Sequence, residues 1–405
     1  DLKAAVSGGL DISVTRHEIG HQFAQYHTIN NGGTNNYEPE NGGWTIQGGN
    51  GHPYAHAVSY HELADFLLNT IPNTGVKVPT GNTIPTVNAG QDVYIPVSTP
   101  FTLTAEATDP DTGDNLTYVW DNMSRAHTQF IPVADDKAGA LFMRLLPTSE
   151  PSRTFPRMSD VIANNNANEQ EQLPTQPRYM DFRVTVNDNH KMNYNGEIIN
   201  ASGINSDDIL ITVADAGPFI VTSQSESGII YMGETEQIIT WEVNGTDQAP
   251  INTQEVSISL SVDGGYTYPI ALSESTPNTG TAVITIPNGI TTETARIKVA
   301  ANNSIYFDIN TTNFEIQSTL SASNKLIGSE IKVYPNPSKG FFTIELDSQR
   351  DFTAELYNTV GKLVAKQANE NIFNTKNLPE GLYLLQIVDK ETSEKVYKKI
   401  IIQRN

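Results

Sequence analysis

Met180-Asp181-Phe182-Arg183-Val184-Thr185-Val186 alternates apolar and polar side chains with a period of two, so that every second residue of an extended strand meets the same face. Ile209-Leu210-Ile211-Thr212-Val213 repeats the pattern, and shorter runs at 94–97, 101–105 and 116–120 read the same way. Together they predict one β-sandwich over 84–216, with a polar insertion around 160–172 read as loop. Working outward, runs at 237–241, 256–260 and 295–299 predict a second sandwich over 217–317. Runs at 331–334, 341–346, 353–357, 382–388 and 396–402 predict a small third β-unit over 331–405. Linkers are expected at 73–83 and 318–330, and the fold class that follows is mainly β and multidomain.

Composition agrees. The chain has 405 residues with 29 Gly, 22 Pro, 16 Tyr and 38% hydrophobic side chains, a balance of strands and turns rather than of helices or disorder. That length suits two to four domains. Against 25 basic side chains stand 46 acidic ones, a formal charge of -21 that repels phosphate backbones and excludes nucleic acid as a partner. No apolar run approaches the roughly 18–20 residues of a membrane span, so no transmembrane segment is expected. With no cysteine there is no disulfide, thiolate metal site or cysteine nucleophile. The charge is uneven: residues 331–405 carry a net +2 and the first 330 a net -23, which marks a boundary at the polar linker.

Residues 1–72 are the helical part. Asp11 or Ser13 can cap a helix with Ile12, Ile19 and Phe23 on its apolar face. A second helix is expected to start at Ser59, where Ser59-x-x-Glu62 reads as a capping box ahead of Leu63, Phe66 and Leu67. The chemistry lies in residues 17–28, H-E-I-G-H-Q-F-A-Q-Y-H-T. His17 and His21 are four apart, so both imidazoles leave one helix face and can share a cation. His27 can supply a third nitrogen, and neutral imidazoles suit zinc with one position left open. Glu18 stands beside them, placed to take a proton from metal-activated water. With 8 His in the chain, H-E-x-x-H arises by chance in roughly one such chain in a hundred, so scattered surface histidines are the weaker reading. His52, His56 and His61 lack such spacing and read as structural or surface histidines.

The motif resembles the metzincin zinc peptidases, closest to the reprolysin-like (adamalysin-type) branch, whose pattern is H-E-x-x-H-x-x-G-x-x-H followed by a Met-turn. Thr45-Ile46-Gln47-Gly48-Gly49 stands where the Met-turn belongs, and Tyr54-Ala55-His56-Ala57-Val58-Ser59 is similar to the segment leading into the last catalytic-domain helix. The resemblance implies a secreted zinc endopeptidase acting on proteins or peptides, with His17, His21 and His27 holding Zn²⁺ and Glu18 as general base. Two positions depart from the pattern. Its glycine is Ala24, where a positive φ would cost on the order of 1 kcal/mol, and its Met-turn methionine is Gln47, whose amide needs a hydrogen bond. Only 16 residues precede His17, so 1–72 is expected to be a truncated α+β metzincin C-terminal subdomain, inactive without the sheet that forms the cleft wall.

The accessory modules have resemblances of their own. The turn and strand at 107–120 resemble PKD/cadherin-like sandwiches; Asp109, Asp111 and Asp114 could gather around Ca²⁺, although an Asp/Gly turn is the simpler reading. The module at 217–317 looks Ig/fibronectin-like, and Ser261-Val262-Asp263-Gly264-Gly265-Tyr266-Thr267-Tyr268 matches a single Asp-box, read as a structural hairpin turn. Val333-Tyr334-Pro335-Asn336-Pro337, Leu378-Pro379-Glu380-Gly381-Leu382-Tyr383 and Tyr397-Lys398-Lys399-Ile400-Ile401 resemble, in order, the C-terminal sorting domain of the type IX secretion system. That implies contact with the secretion machinery and export across the outer membrane of a Gram-negative bacterium, to the surface or medium. Such export needs an upstream signal peptide, so more chain is expected before Asp1. The rival expectation is a degenerate protease serving as a cell-surface binding or adhesion protein.

Overall fold

The computed structural model describes residues 12–28, 37, 45–48, 54–72, 77–125, 131–318, 331–345, 351–359, 361–390 and 395–404. Asp11, His52 and nearly all of the linker expected at 318–330 lie outside them. The chain forms two compact units, Asp1–Gln317 and Ser318–Asn405, and both are predominantly β.

Around the alternating run, strand Arg178–Asn187 buries Met180, Phe182, Val184 and Val186. It lies between Ile204–Ala214 and Thr117–Asn122, with Val93–Pro96 completing a four-stranded sheet. A second layer pairs Phe101–Thr104 with Ser152–Phe155. Phe101 and Phe155 stack at 5.1 Å and meet Phe182 edge-on across the core, each burial contributing roughly 1.5–3 kcal/mol.

The insertion expected as loop over 160–172 has no regular element beyond Ile162, and it is anchored. A short helix, Met158–Ile162, is followed by the fully buried Glu171, which accepts from Arg153 Nη2 at 2.6 Å and from the Arg157 amide at 2.7 Å. A buried carboxylate has to be paired, and the two arginines fix where the insertion folds back. Polar composition predicted the irregular backbone correctly but not this anchor, whose partners lie across the module.

The second β region pairs a sheet of Ile230–Met232, Phe314–Gln317, Thr292–Ala301, Glu255–Ser261 and Ile270–Pro277 with one of Ile220–Val221, Glu236–Glu242 and Thr281–Thr285. Its hydrophobic interior is continuous with that of the first. Tyr306 packs on Phe219 and bridges to Phe101, while the Thr102 amide donates to Ile305 O at 3.0 Å. This shared core is why the two regions form one unit. The Asp-box is a turn: Asp263 accepts from the amides of Tyr266 and Thr267, both at 3.0 Å.

In the second unit, Lys332–Tyr334, Phe341–Glu345 and Ile372–Asn374 form one sheet. Leu363–Ala368, Phe352–Asn358, Gly381–Asp389 and Lys395–Ile402 form the other. Phe342, Ile344, Leu356, Leu385 and Ile400 fill the space between. Asn336, within the Tyr-Pro-Asn-Pro run, latches onto the last strand, accepting from the Ile401 amide at 2.8 Å and donating to Lys399 O at 2.7 Å. Among the described residues no helix is long and apolar enough to cross a membrane.

Candidate metal centre

Helix α1, Ile12–Gln22, carries His17 and His21 one turn apart. It ends where Ala24 turns back with φ 61°, which delivers His27 to the same point. The three Nε2 atoms converge: 3.0 Å between His17 and His27, 3.1 Å between His17 and His21, 3.2 Å between His21 and His27. A tetrahedral zinc with bonds of about 2.0–2.1 Å needs its nitrogens roughly 3.3–3.4 Å apart, so the donor set fits that ion closely. His17 Nδ1 donates to Ile46 O and His21 Nδ1 to Gln25 O, each at 2.7 Å. With these protons on Nδ1, the Nε2 lone pairs face the shared point, the usual outer-shell arrangement for a histidine ligand. Burial, then the neighbouring His17 and His21, hold the His27 pKa below its ordinary value against the charge of Glu18, favouring the neutral ligand form.

Against the backbone of α1 lies Gln47, fully buried in the short helical turn Ile46–Gly48. Its Nε2 donates to His17 O at 2.9 Å, whereas its Oε1 is buried without a partner among the described residues. Gly20 faces this amide: a Cβ there would overlap Gln47 Nε2 and Gln25 Oε1, so the glycine is a packing requirement. Of the apolar face expected on α1, Phe23 packs edge-on to Phe66 at 6.4 Å, but Ile19 is 45% exposed. Helix α2 runs Ala57–Asp65, two residues earlier than the capping box predicted, with His56 as N-cap accepting from the Val58 amide. Ser59 and Glu62 turn instead toward the ligand loop: Gln25 Nε2 donates to Ser59 O and the Tyr26 amide to Glu62 Oε2, both at 3.0 Å. Nothing in residue spacing marks Gln25, Glu62 or the two carbonyls, because their partners are distant in the chain.

His56 is a buried structural histidine. Its ring stacks on Tyr37 at 5.4 Å, and Nε2 lies 3.7 Å from the fully buried Asp121 on the first β sheet. Arg144, 3.5 Å from the same carboxylate, also donates to Ala55 O. These contacts seat the residues before α2 against the β module. His61 is exposed and approaches neither cluster of metal-ligating groups. Asp109, Asp111 and Asp114 do come together. Each also works in the turn: Asp109 accepts from the Asp111 amide at 2.7 Å, Asp111 from the Thr83 amide at 2.6 Å, and Asp114 pairs with His190 Nδ1 at 2.8 Å.

Comparison with known proteins identifies the secretion module and removes the peptidase. Residues 332–403 match the Secretion system C-terminal sorting domain, so the chain carries a type IX export signal and is delivered across the outer membrane. An endo-acting ulvan lyase of Formosa agariphila is 31% identical over 84 residues, 20% of this chain and 16% of the relative. Ulvan lyase NLR42 of Nonlabens ulvanivorans is 29% identical over 230 residues, 51% of this chain and 42% of the relative. The chain thus spans less than half the length of these curated relatives. Titin domains I67-I69 cover 79% of the chain and 98% of their own at 12% identity and a TM-score of 0.19. Chicken CNTN1 FN1-FN3 covers 79% and 99% at 10% identity and a TM-score of 0.16. The curated relatives are ulvan lyases and not metalloproteases, which overturns the reprolysin-like metzincin assignment, the zinc-endopeptidase function and the peptide substrates expected from H-E-I-G-H.

Proposed function

We propose that this protein is an exported metal-binding protein: a three-histidine zinc centre at His17, His21 and His27, accessory Ig-like β modules, and the type IX sorting module. One observation carries the metal reading, the convergence of three Nε2 atoms to 3.0–3.2 Å. Bound zinc, held by the three histidines, would supply Lewis acidity. The chain's own residues do the rest: Ile46 O and Gln25 O hold the tautomers, and Glu18, close enough to influence His27, offers a carboxylate as proton acceptor. Metal analysis of the purified chain tests this. One equivalent of zinc, lost on His21→Ala, is expected; less than half an equivalent in the wild type sinks the assignment.

A second reading has its own support. The match to ulvan lyase NLR42 covers 51% of the chain, more than the whole second unit, so part of it lies in the first unit. The β modules are then accessory parts shared with ulvan lyases, and they serve binding at the cell surface. Retention of the chain by immobilised ulvan supports this, and free passage refutes it. For calcium, the buried and partnerless Asp109 Oδ2 favours occupancy of the Asp109, Asp111 and Asp114 turn. A calcium titration with no shift in unfolding temperature removes that part.

A further inference from the structure

We infer that Glu62 is a positioning residue for the third metal ligand: helix α2 holds the loop that presents His27. The inference rests on the three-histidine reading above. His17 and His21 ride on α1, and helical geometry sets their spacing. His27 lies beyond the helix end, on residues 25–28 that have no repeating structure of their own. Its direction therefore depends on whatever tethers that segment.

The tethers come from α2 and from the turn beneath. Gln25 Nε2 donates to Ser59 O at 3.0 Å in a buried bond. The Tyr26 amide, immediately before the ligand, donates to Glu62 Oε2 at 3.0 Å. Ser59 and Glu62 are three residues apart on α2 and so share a face. On the far side, the Thr28 amide donates to Gln47 O at 3.3 Å. His27 is thus bracketed at 25, 26 and 28, with its Nε2 turned to the other two histidines. A carboxylate on a backbone amide is the strongest of these bonds by type, being charge-assisted. Glu62 is available for it because α2 starts at Ala57, so the Ser59 amide bonds His56 O at 2.9 Å and needs no capping box.

The test uses the full chain with zinc affinity measured by chelator competition, and with cobalt(II) as a spectroscopic substitute. Loss of a hydrogen bond made to a metal ligand itself typically weakens metal binding about 10–100-fold, and loss of this tether, one residue removed from the ligand, is expected at the low end of that range. Glu62→Ala and Glu62→Asp, which is too short to reach Tyr26, are both expected to fall in that range and to alter the cobalt spectrum. Glu62→Gln, which keeps the acceptor, is expected to bind zinc within about threefold of wild type. Tryptophan-monitored unfolding of the metal-free chains checks that folding is intact; Glu62→Asp serves if Glu62→Ala does not fold. Wild-type affinity and spectrum in Glu62→Asp would overturn the inference while leaving the three-histidine site standing. A wild-type chain that binds neither metal removes both.

Discussion

Replacing Asp308 by Asn should make the first unit more stable at pH 8 and leave it unchanged at pH 4. Asp308 lies in strand Phe307–Ile309, where its Oδ2 accepts from the Val221 amide at 2.7 Å. Burial pushes its pKa up to about 7 despite hydrogen bonds from the Val221 and Ile309 amides that pull the other way. The unfolded carboxyl titrates near 3.9. The native state therefore binds more protons between these values. Its contribution is full below about pH 4 and lost as pH rises through about 7. Three units at 1.36 kcal/mol each give about 4 kcal/mol, and the residue's remaining solvent access trims the expectation to roughly 2–4 kcal/mol. Asn keeps the acceptor for Val221 and cannot ionise. Urea unfolding can be followed by tryptophan fluorescence, since Trp44, Trp120 and Trp241 all lie in the first unit. Comparing variant with wild type at each pH cancels the other carboxylates. A stability difference that is the same at pH 4.5 and pH 8 would refute the reasoning.

Other expectations follow from single contacts. Glu171→Ala leaves Arg153 buried and unpaired and should cost about 3–5 kcal/mol in the same unfolding assay. Gly20→Ala drives a methyl into Gln47 and Gln25 and should destabilise the metal-free chain by about 1–3 kcal/mol while weakening zinc binding in a competition titration. Ala24→Gly relieves a left-handed backbone at φ 61° and should preserve zinc affinity, with a gain in calorimetric stability of no more than about 1 kcal/mol. Zinc at a hundred times its dissociation constant should add about 2.7 kcal/mol to the unfolding free energy of wild type and nothing to that of His21→Ala. Deleting 331–405 should trap the protein in the periplasm, as fractionation would show, because the sorting domain is removed.

Much of this molecule is legible in its residues. Period-two alternation located the strands around Phe182 and Leu385, since a half-buried strand imposes that spacing locally. Helical spacing brought out His17 and His21, and the third histidine followed from the needs of zinc. The same motif misled at the level of family: H-E-I-G-H reports where nitrogens can meet, and a spacing of five residues does not specify the rest of a catalytic domain. Ser59-x-x-Glu62 failed similarly, since a capping box and a long-range tether use the same side chains.

The sequence by itself determined the β character and the sorting module, and it singled out the three histidines whose Nε2 atoms converge, because each shows as a pattern of nearby residues. Only the tertiary structure decided that 84–317 shares one core, that the polar insertion is pinned by Glu171, and that Gln25 and Glu62 tether the segment carrying His27. Those contacts join residues 18 to 210 positions apart. Their energies come from burial and pairing across the folded chain, which no local pattern records.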